Sequence, residues 1–444
     1  MKELIKKITP SFLINWYHLL LAFFGAFWYG FPSRSIKVMG VTGTKGKTTV
    51  VILAGKILEE AGFKVGWISS ATIKIGNKEW LNPYHMTMPG RFLMQRYLRE
   101  MVNKGCKYGL VEVTSEGIKQ FRHKFIDFDT VVFTNLAPEH IEAHGGFENY
   151  RTAKGELFKA ARNIHIVNLD DENAWYFLKF PAREKLGFGI KNQESGITDK
   201  EFRTIKAKDV ILGDKKSSFM IHNSLFQIRL LGEFNIYNAL AGICIGLSQG
   251  VALEVCRKAL EKIEYIPGRM EFINEGQNFT VIVDLAHTPD SFEKVFKLVN
   301  EMPHNRIISV FGAAGGGRDK WKRPELGKIA AHYSDYIILT NEDSYDEDSM
   351  EIINQIAKGA EKISINQFTP LDKLSNGASQ RQSAVFKILD RREAIKKALS
   401  SAEKRDIVLI LGKGTEQTMV IGSEKIPWDD REVAREEIKN LTKI

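Results

Sequence analysis

Within Ser35–Thr42 the chain is apolar from Ile36 to Val41 but for Lys37, the pattern of a strand covered on both faces. Gly43-Thr-Lys-Gly-Lys-Thr-Thr49 follows at once, and Val50–Glu60 reads as a helix that stops at Ala61-Gly62. The alternation continues with a strand over Val65–Ser69, a helix over Arg91–Asn103, and strands over Tyr108–Ser115 and Thr130–Asn135. A second series begins with strand Thr280–Asp284. Helix Ser291–Asn300, strand Arg306–Gly312, helix Pro324–Tyr333, strand Tyr336–Thr340 and strand Asp406–Leu411 complete it. Strands alternating with helices predict an α/β fold of parallel, doubly wound sheets, with ligands at the strand C-termini. Phe202–Leu231 predicts short antiparallel strands around Gly213-Asp214, and Ser375–Ser383 an exposed loop.

The first 35 residues break this pattern. Between Ile8 and Ser33 there is no Asp, Glu, Lys or Arg, and the apolar run Phe12–Phe31 is long enough to span a bilayer. Asn15 and His18 interrupt it, and no small-residue cleavage site follows. Lys2, Lys6 and Lys7 precede the run; Arg34 and Lys37 follow it. A single span with that basic end inside would carry the rest of the chain outside. An interfacial helix anchored by Trp16, Tyr17, Trp28 and Tyr29 is expected instead, or a helix packed on the body of the protein. The segmentation that results is an N-terminal appendage over 1–35, a first α/β domain over 36–266 and a second α/β domain over 267–444.

Composition adds limits. With 444 residues, 43% hydrophobic and 26% charged, the chain is neither disordered nor a disulfide framework. A net charge of +9 over this length hints only weakly at anionic partners. Cys106, Cys244 and Cys256 lie far from any paired spacing and read as buried small hydrophobes in a reducing compartment.

The strand, Gly-rich turn, Gly-Lys-Thr and helix supply the context that a phosphate loop requires. Loop amides and the helix N-terminus bind phosphate oxygens, Lys47 reaches the β/γ-phosphates and Thr48 ligates Mg²⁺. Val41 stands where the general motif has its first glycine; the tighter form Gly43, Thr44, Lys45, Gly46, Lys47, Thr48, Thr49 remains. Glu112 and His140 sit where neighbouring strands end, placed to hold a metal above the phosphates. Taken singly, each is equally readable as a solvated loop residue or a cap.

Further segments in register carry a resemblance. They include Val111-Glu-Val-Thr-Ser115, Thr134-Asn-Leu with His140 and His144-Gly, Glu148–Lys154, Val167–Asp171 and Gly232–Ala241. Later come Ile266–Glu271, Val281–Asp290, Phe311–Asp319, Asp390–Ala394, Gly412–Glu416 and Asp430–Ala434. In this order they resemble the Mur ligases, and within them the branch that adds the third peptide residue of peptidoglycan precursors. The resemblance implies ATP-driven amide formation in the cytoplasm, by a monomer that binds no nucleic acid. A substrate carboxylate is phosphorylated, and the amine of an amino acid then displaces phosphate from the acyl carbon.

The resemblance also assigns roles. Lys154 matches a lysine carried as a carbamate, which with Glu112 and His140 holds a second Mg²⁺ while Thr48 serves the first. Asn235, Asn238 and Arg269 match nucleotide contacts, and Asp284 and His287 a strand end facing ATP. Thr87, Ser115, Gln120 and Arg122 match the run that holds the muramyl peptide. Arg318, Asp343, Tyr345, Gly412 and Glu416 fall in the amino-acid region.

The chain departs from the family in three ways. A conventional uridine-nucleotide domain of roughly a hundred residues is not expected in the short segment before the phosphate strand. An interfacial helix there would suit a lipid-linked acceptor at the inner face of the membrane, through residues 8–33. Tyr345 stands where diaminopimelate enzymes carry an arginine, and the acidic run Glu342, Asp343, Asp346, Glu347, Asp348 would suit a cationic side chain or be a solvated loop. Glu116 replaces a histidine, and Glu139 and Glu142 replace aspartates. A ligase with a lipid-linked, folate or polymer acceptor, and an inactive nucleotide-binding scaffold, are the competing readings.

Overall fold

The computed structural model describes residues 10–84, 86–138, 144–191, 202–366 and 383–442. The chain divides into two compact units, Met1–Glu264 and Tyr265–Ile444.

The first unit is built on a nine-stranded sheet. Its strands are β1 (Lys37–Thr42), β2 (Val65–Ile68), β3 (Thr72–Ile75), β4 (Lys78–Leu81), β5 (Tyr108–Glu112), β6 (Phe128–Phe133), β7 (Ile164–Asn168), β8 (Glu184–Gly189) and β9 (Arg203–Lys206). They lie in the order β4-β3-β2-β5-β1-β6-β7-β8-β9. Neighbours from β2 through β9 pair in parallel. β1 lies central with β5 on one side and β6 on the other, so the three strand ends that carry the predicted chemistry are neighbours. β1, β5 and β7 are buried along nearly their whole length, as parallel strands covered on both faces must be.

Two expectations are corrected here. The sheet is not wholly parallel: β3 and β4 extend its edge as an antiparallel hairpin. The segment after Phe202 is not all antiparallel insert either. β9 joins the main sheet, and only β10 (Lys208–Leu212), β11 (Ser217–Ile221) and β12 (Ser224–Ile228) form the separate antiparallel ribbon. A run of short apolar strands carries no local mark of which sheet each will join.

The helices of this unit include α1 (Ser11–Trp28), α2 (Lys47–Glu60), α3 (Arg91–Asn103), α4 (Ser115–Lys119), α5 (Phe147–Ala160), α6 (Glu233–Ser248) and α7 (Leu253–Glu261), with α1 lying on α3. The expected strand over Tyr108–Ser115 ends at Glu112 because Thr114 caps α4, its hydroxyl accepting from the Gly117 amide at 3.0 Å. Cys106, Cys244 and Cys256 are buried free thiols, as their spacing implied.

The second unit has a six-stranded sheet made of β13 (Glu271–Ile273), β14 (Thr280–Asp284), β15 (Ile307–Phe311), β16 (Tyr336–Leu339), β17 (Ala384–Lys387) and β18 (Ile407–Leu411). The order is β13-β14-β18-β15-β16-β17, parallel except for β13. Helices α8 (Pro289–Glu301), α9 (Lys322–Tyr333), α10 (Arg391–Ser401) and α11 (Asp430–Thr442) lie among these strands in the chain. The two late signature segments meet here in a fully buried ion pair. Arg391 donates Nε and an Nη to the two oxygens of Asp430 at 2.8 and 2.7 Å, and its remaining donors reach the Asn341 and Leu411 carbonyls. Such a pair is costly to bury unless every group is satisfied; Trp428 Nε1 completes Asp430 at 2.9 Å. Most of the loop predicted over Ser375–Ser383 lies outside the described residues. Ser383 itself is buried and donates to the Ala331 and Ser334 carbonyls, so it is not exposed.

α8 opens with a capping box. The Thr288 hydroxyl accepts from the Ser291 amide, the Ser291 hydroxyl accepts from the Thr288 amide, and Pro289 occupies the first turn. Thr288→Ala is expected to destabilise this unit by about 1 kcal/mol, read as a lower urea midpoint at unchanged slope.

Candidate active site

The phosphate loop leaves β1 at Thr42 and enters α2 at Lys47, and the structure fixes it from the ends of the adjacent strands. The Thr134 hydroxyl donates to the Lys45 carbonyl at 2.7 Å. Asn135 accepts from the Lys45 amide at 2.9 Å and donates back to its carbonyl at 3.0 Å. Thr44 is held by Tyr150, its hydroxyl 3.1 Å from the phenol, and accepts from the Ala137 amide. Gly46 caps α2 with φ +83°, and a Cβ there would lie 2.2 Å from Asn238 Oδ1. Only glycine meets both demands. Gly46→Ala is therefore expected to weaken ATP binding about tenfold, from strain of about 1–3 kcal/mol. Titration with a fluorescent ATP analogue checks it.

Thr48, Glu112 and Lys47 converge at the C-terminal edge of β1 and β5. The Thr48 hydroxyl donates to Glu112 Oε2 at 2.8 Å, and Lys47 Nζ lies 4.0 Å from Glu112 Oε1 while donating to the Thr44 carbonyl at 2.8 Å. Ser70, after β2, adds a residue that sequence reasoning missed. Its amide donates to Glu112 Oε2 at 2.8 Å and its hydroxyl lies 2.7 Å from that of Thr48. Position at a strand C-terminus was its one available signal. Hydroxyl and carboxylate oxygens of this kind are hard donors that fit Mg²⁺. Thr49 is buried in the first turn of α2 behind them.

Lys154, on α5, is buried with its ammonium 2.7 Å from the Gly43 carbonyl and above the Tyr150 ring. α5 thus carries the lysine from 111 residues away to the phosphate loop. His140, with Glu139 and Glu142, lies outside the described residues. Among the described residues no three His, Cys, Asp or Glu side chains gather into a metal site; Thr48 and Lys154 are of other types.

The residues predicted for the acceptor cluster in the same unit. Ser115 Oγ lies 3.1 Å from His144 Nε2. Burial lowers the His144 pKa, helped by Lys119 and Lys154 and opposed by Glu116. Arg122 is buried; its guanidinium donates to the Met88 carbonyl and to Gln120 Oε1, and lies 3.2 Å from the Met86 sulfur. It thereby grips both neighbours of Thr87. Arg122 and Gln120 hold the segment that carries Thr87 in place, a positioning role. Asn235 and Asn238 are buried on α6, linked at 3.0 Å, with Asn235 donating to the Leu231 carbonyl.

In the second unit, Asp284 accepts from the Met270 and Ala286 amides at 2.8 and 2.7 Å and so fixes the turns on both sides of β14. Arg269 lies in the first of these turns, its Nη1 3.1 Å from the Gly268 carbonyl. His287 has Nδ1 2.8 Å from the Leu285 carbonyl.

The acidic run after β16 is largely spoken for. Buried Lys413 donates to both oxygens of Asp343 at 3.0 Å and to Glu416 at 2.7 Å. Burial alone would lower the Lys413 pKa, but Glu416, Asp343 and Glu342 outweigh it and hold the ammonium above its usual value. Asp343 also accepts from the Val420 amide, and Glu347 pairs with Arg323 and Lys320. Glu342 is buried beside Gly412, and burial pushes its carboxyl up against the pull of Arg391 and Lys413. Asp343 and Glu347 are thus neutralised internally. Tyr345, half-buried with φ +51°, feels Asp343 first among charges, then Arg318 and Glu416, so these predicted amino-acid residues do share one locality.

Comparison with known proteins follows the same division. The Mur ligase middle domain matches residues 41–246, and the Mur ligase glutamate ligase domain matches residues 268–414. A UDP-N-acetylmuramyl-tripeptide synthetase of Roseiflexus sp. (strain RS-1) is 35% identical over 98% of this chain and 84% of its own length. A UDP-N-acetylmuramoyl-L-alanyl-D-glutamate–2,6-diaminopimelate ligase of Geobacillus kaustophilus (strain HTA426) is 33% identical over 97% of this chain and 84% of its own. A solved structure of a ligase of that name superposes with a TM-score of 0.59 at 27% identity, covering 92% of this chain and 79% of the other. The folylpolyglutamate synthase of Mycobacterium tuberculosis shares the fold, with a TM-score of 0.66 at 14% identity over 89% of this chain and 92% of its own. With both domains matched in order and this identity held across nearly the whole chain, the protein belongs to the Mur ligase family.

Proposed function

We propose that the protein is an ATP-dependent, ADP-forming ligase that joins an amino acid to the carboxylate of a muramyl peptide, working as a monomer in the cytoplasm. The observation that carries this reading is the convergence of Lys47, Thr48, Glu112 and buried Lys154 on the phosphate loop. The substrate carboxylate attacks the γ-phosphorus and ADP leaves, giving an acyl phosphate. The amine of the incoming amino acid then attacks the acyl carbon, phosphate departs and the ammonium proton passes to solvent. Negative charge grows on oxygen in both steps, so loop amides and Lys47 stabilise it where it develops. Thr48 would hold the first Mg²⁺, which neutralises phosphate charge, and Glu112 with His140 would share the second.

Lys154 would act as a carbamate. Its amine adds to CO₂ with loss of a proton, and the product keeps one N–H for the Gly43 carbonyl while gaining two oxygens for a second Mg²⁺. A charged ammonium cannot ligate a cation. Ser115 and Thr87 would contact the acceptor, with Gln120 and Arg122 holding them in place. Asn235, Asn238, Arg269, Asp284 and His287 would line or support the nucleotide. Arg318, Tyr345 and Glu416 would meet the amino acid, with Asp343 and Gly412 shaping that locality.

The test is ADP release with Mg²⁺, bicarbonate and UDP-N-acetylmuramoyl-L-alanyl-D-glutamate, across lysine, ornithine, diaminopimelate and no amino acid, with products identified by mass. Amino-acid-dependent ADP release with a tripeptide product supports the reading. Folded, ATP-binding protein that releases no ADP with any of them overturns it.

A further inference from the structure

Helix α1 has two unlike faces. Its inner face carries Ala22, Gly25 and Ala26, all buried, and lies on α3. A Cβ at Gly25 would come 3.3 Å from the Phe92 Cα, so small residues are what permit this approach. The helix end is pinned by Arg99, which donates to the Tyr29 and Gly30 carbonyls at 2.7 and 2.8 Å. Its outer face holds nine large apolar side chains that are 39–77% exposed, among them Phe12, Trp16, Leu20, Phe24, Phe27 and Trp28. The patch continues onto Phe125, whose ring lies 5.5 Å from that of Phe23 and is itself exposed.

Monomeric proteins rarely leave such a continuous apolar face in water. Two observations point to what covers it. First, no residue of the helix is charged, and the charges that flank it in the sequence are basic: Lys2, Lys6 and Lys7 before it, Arg34 and Lys37 after it. Protein interfaces surround an apolar centre with polar groups, whereas an uncharged, aromatic-rich helix flanked in sequence by basic residues fits acyl chains below anionic headgroups. Second, Trp16 and Tyr17 near one end and Trp28 and Tyr29 at the other have the apolar body and polar tip that suit the headgroup boundary. The helix lies on the surface rather than crossing it. Among the described residues no helix is long and apolar enough to span a membrane, and spanning would drag Arg91, Arg96, Arg99 and Glu100 of α3 into hydrocarbon.

We propose that the outer face of α1 docks on an anionic lipid bilayer surface, holding the nucleotide-binding unit at the membrane. This assignment stands apart from the ligase reading, because it rests on the helix and not on the phosphate loop.

The test is flotation of the full-length protein with vesicles of phosphatidylcholine alone and with added phosphatidylglycerol. The comparison protein is Trp16→Ser/Phe24→Ser/Trp28→Ser, three exposed positions whose change leaves the inner face intact, and ATP-analogue binding serves as its folding control. The parent is expected to float with the anionic vesicles, and the triple variant to partition at least about tenfold more weakly while binding nucleotide normally. Flotation that survives the triple substitution, or that ignores vesicle charge, overturns the proposal. So does a parent that stays in solution. If that parent self-associates and the variant does not, the face is instead an interface between copies of the chain.

Discussion

Lys47→Met is expected to cut acceptor-dependent ADP release by about a thousandfold, about 4 kcal/mol of transition-state stabilisation. The side chain lies in the phosphate loop, donating to the Thr44 carbonyl and 4.0 Å from Glu112, where in the proposed reading its charge would meet the β/γ-phosphates. Methionine keeps much of the stem and removes the cation. Because the charge matters most where oxygen charge is growing, kcat should fall further than ATP affinity. Single-turnover ADP release and ATP-analogue titration on the same preparation separate the two. Near-normal turnover in Lys47→Met would show that the loop is not where the chemistry happens.

For Lys154 the informative comparison is between two substitutions. Lys154→Ala should lower turnover by about a hundred- to a thousandfold. Lys154→Arg keeps a cation near the Gly43 carbonyl but cannot take up CO₂, so under the carbamate reading it should be as inactive as the alanine variant. If the lysine acts as a cation instead, arginine should retain much of the activity. A second readout does not depend on turnover. The parent supplied with ¹³C-bicarbonate should show a carbamate carbon signal that both variants lack. The removed side chain is 1% exposed, so a thermal melt is needed to show that each variant is folded. An arginine variant that works, together with a parent lacking the signal, removes the carbamate from the mechanism and leaves Thr48, Glu112 and His140 as the metal donors.

The phosphate loop and Glu112 are legible because each stands in a local pattern with a local cause, whereas Lys154 stands out only through the family resemblance. Gly43–Thr49 is a turn between a strand and a helix whatever surrounds it, and Glu112 stands where a buried apolar run stops. Four of the six strands of the second unit, β14, β15, β16 and β18, lie within a residue or two of their expected bounds for the same reason, whereas the short edge strands β13 and β17 were not expected. The errors fall where the local signal is silent. The apolar pattern of β9 does not say that it leaves the antiparallel ribbon and pairs with β8. Ser70 carries no motif, and it matters only because parallel pairing of β2 with β5 brings its amide to Glu112, 42 residues on. For the acidic run after β16 the sequence left open a cation site or a solvated loop, and could not show that Lys413, 70 residues later, pairs with Asp343.

By itself, then, the sequence determined the two α/β sheets, the phosphate loop and the apolar character of the first helix, since periodicity and turn chemistry act over a few residues. Only the tertiary structure decided which charges are already neutralised, as in Lys413 with Asp343 and Arg391 with Asp430, and which face of residues 11–28 is left to meet something else. Those outcomes depend on contacts between distant segments. The free energy of a buried charge or an apolar face is set by what the fold brings against it, not by its neighbours in the chain.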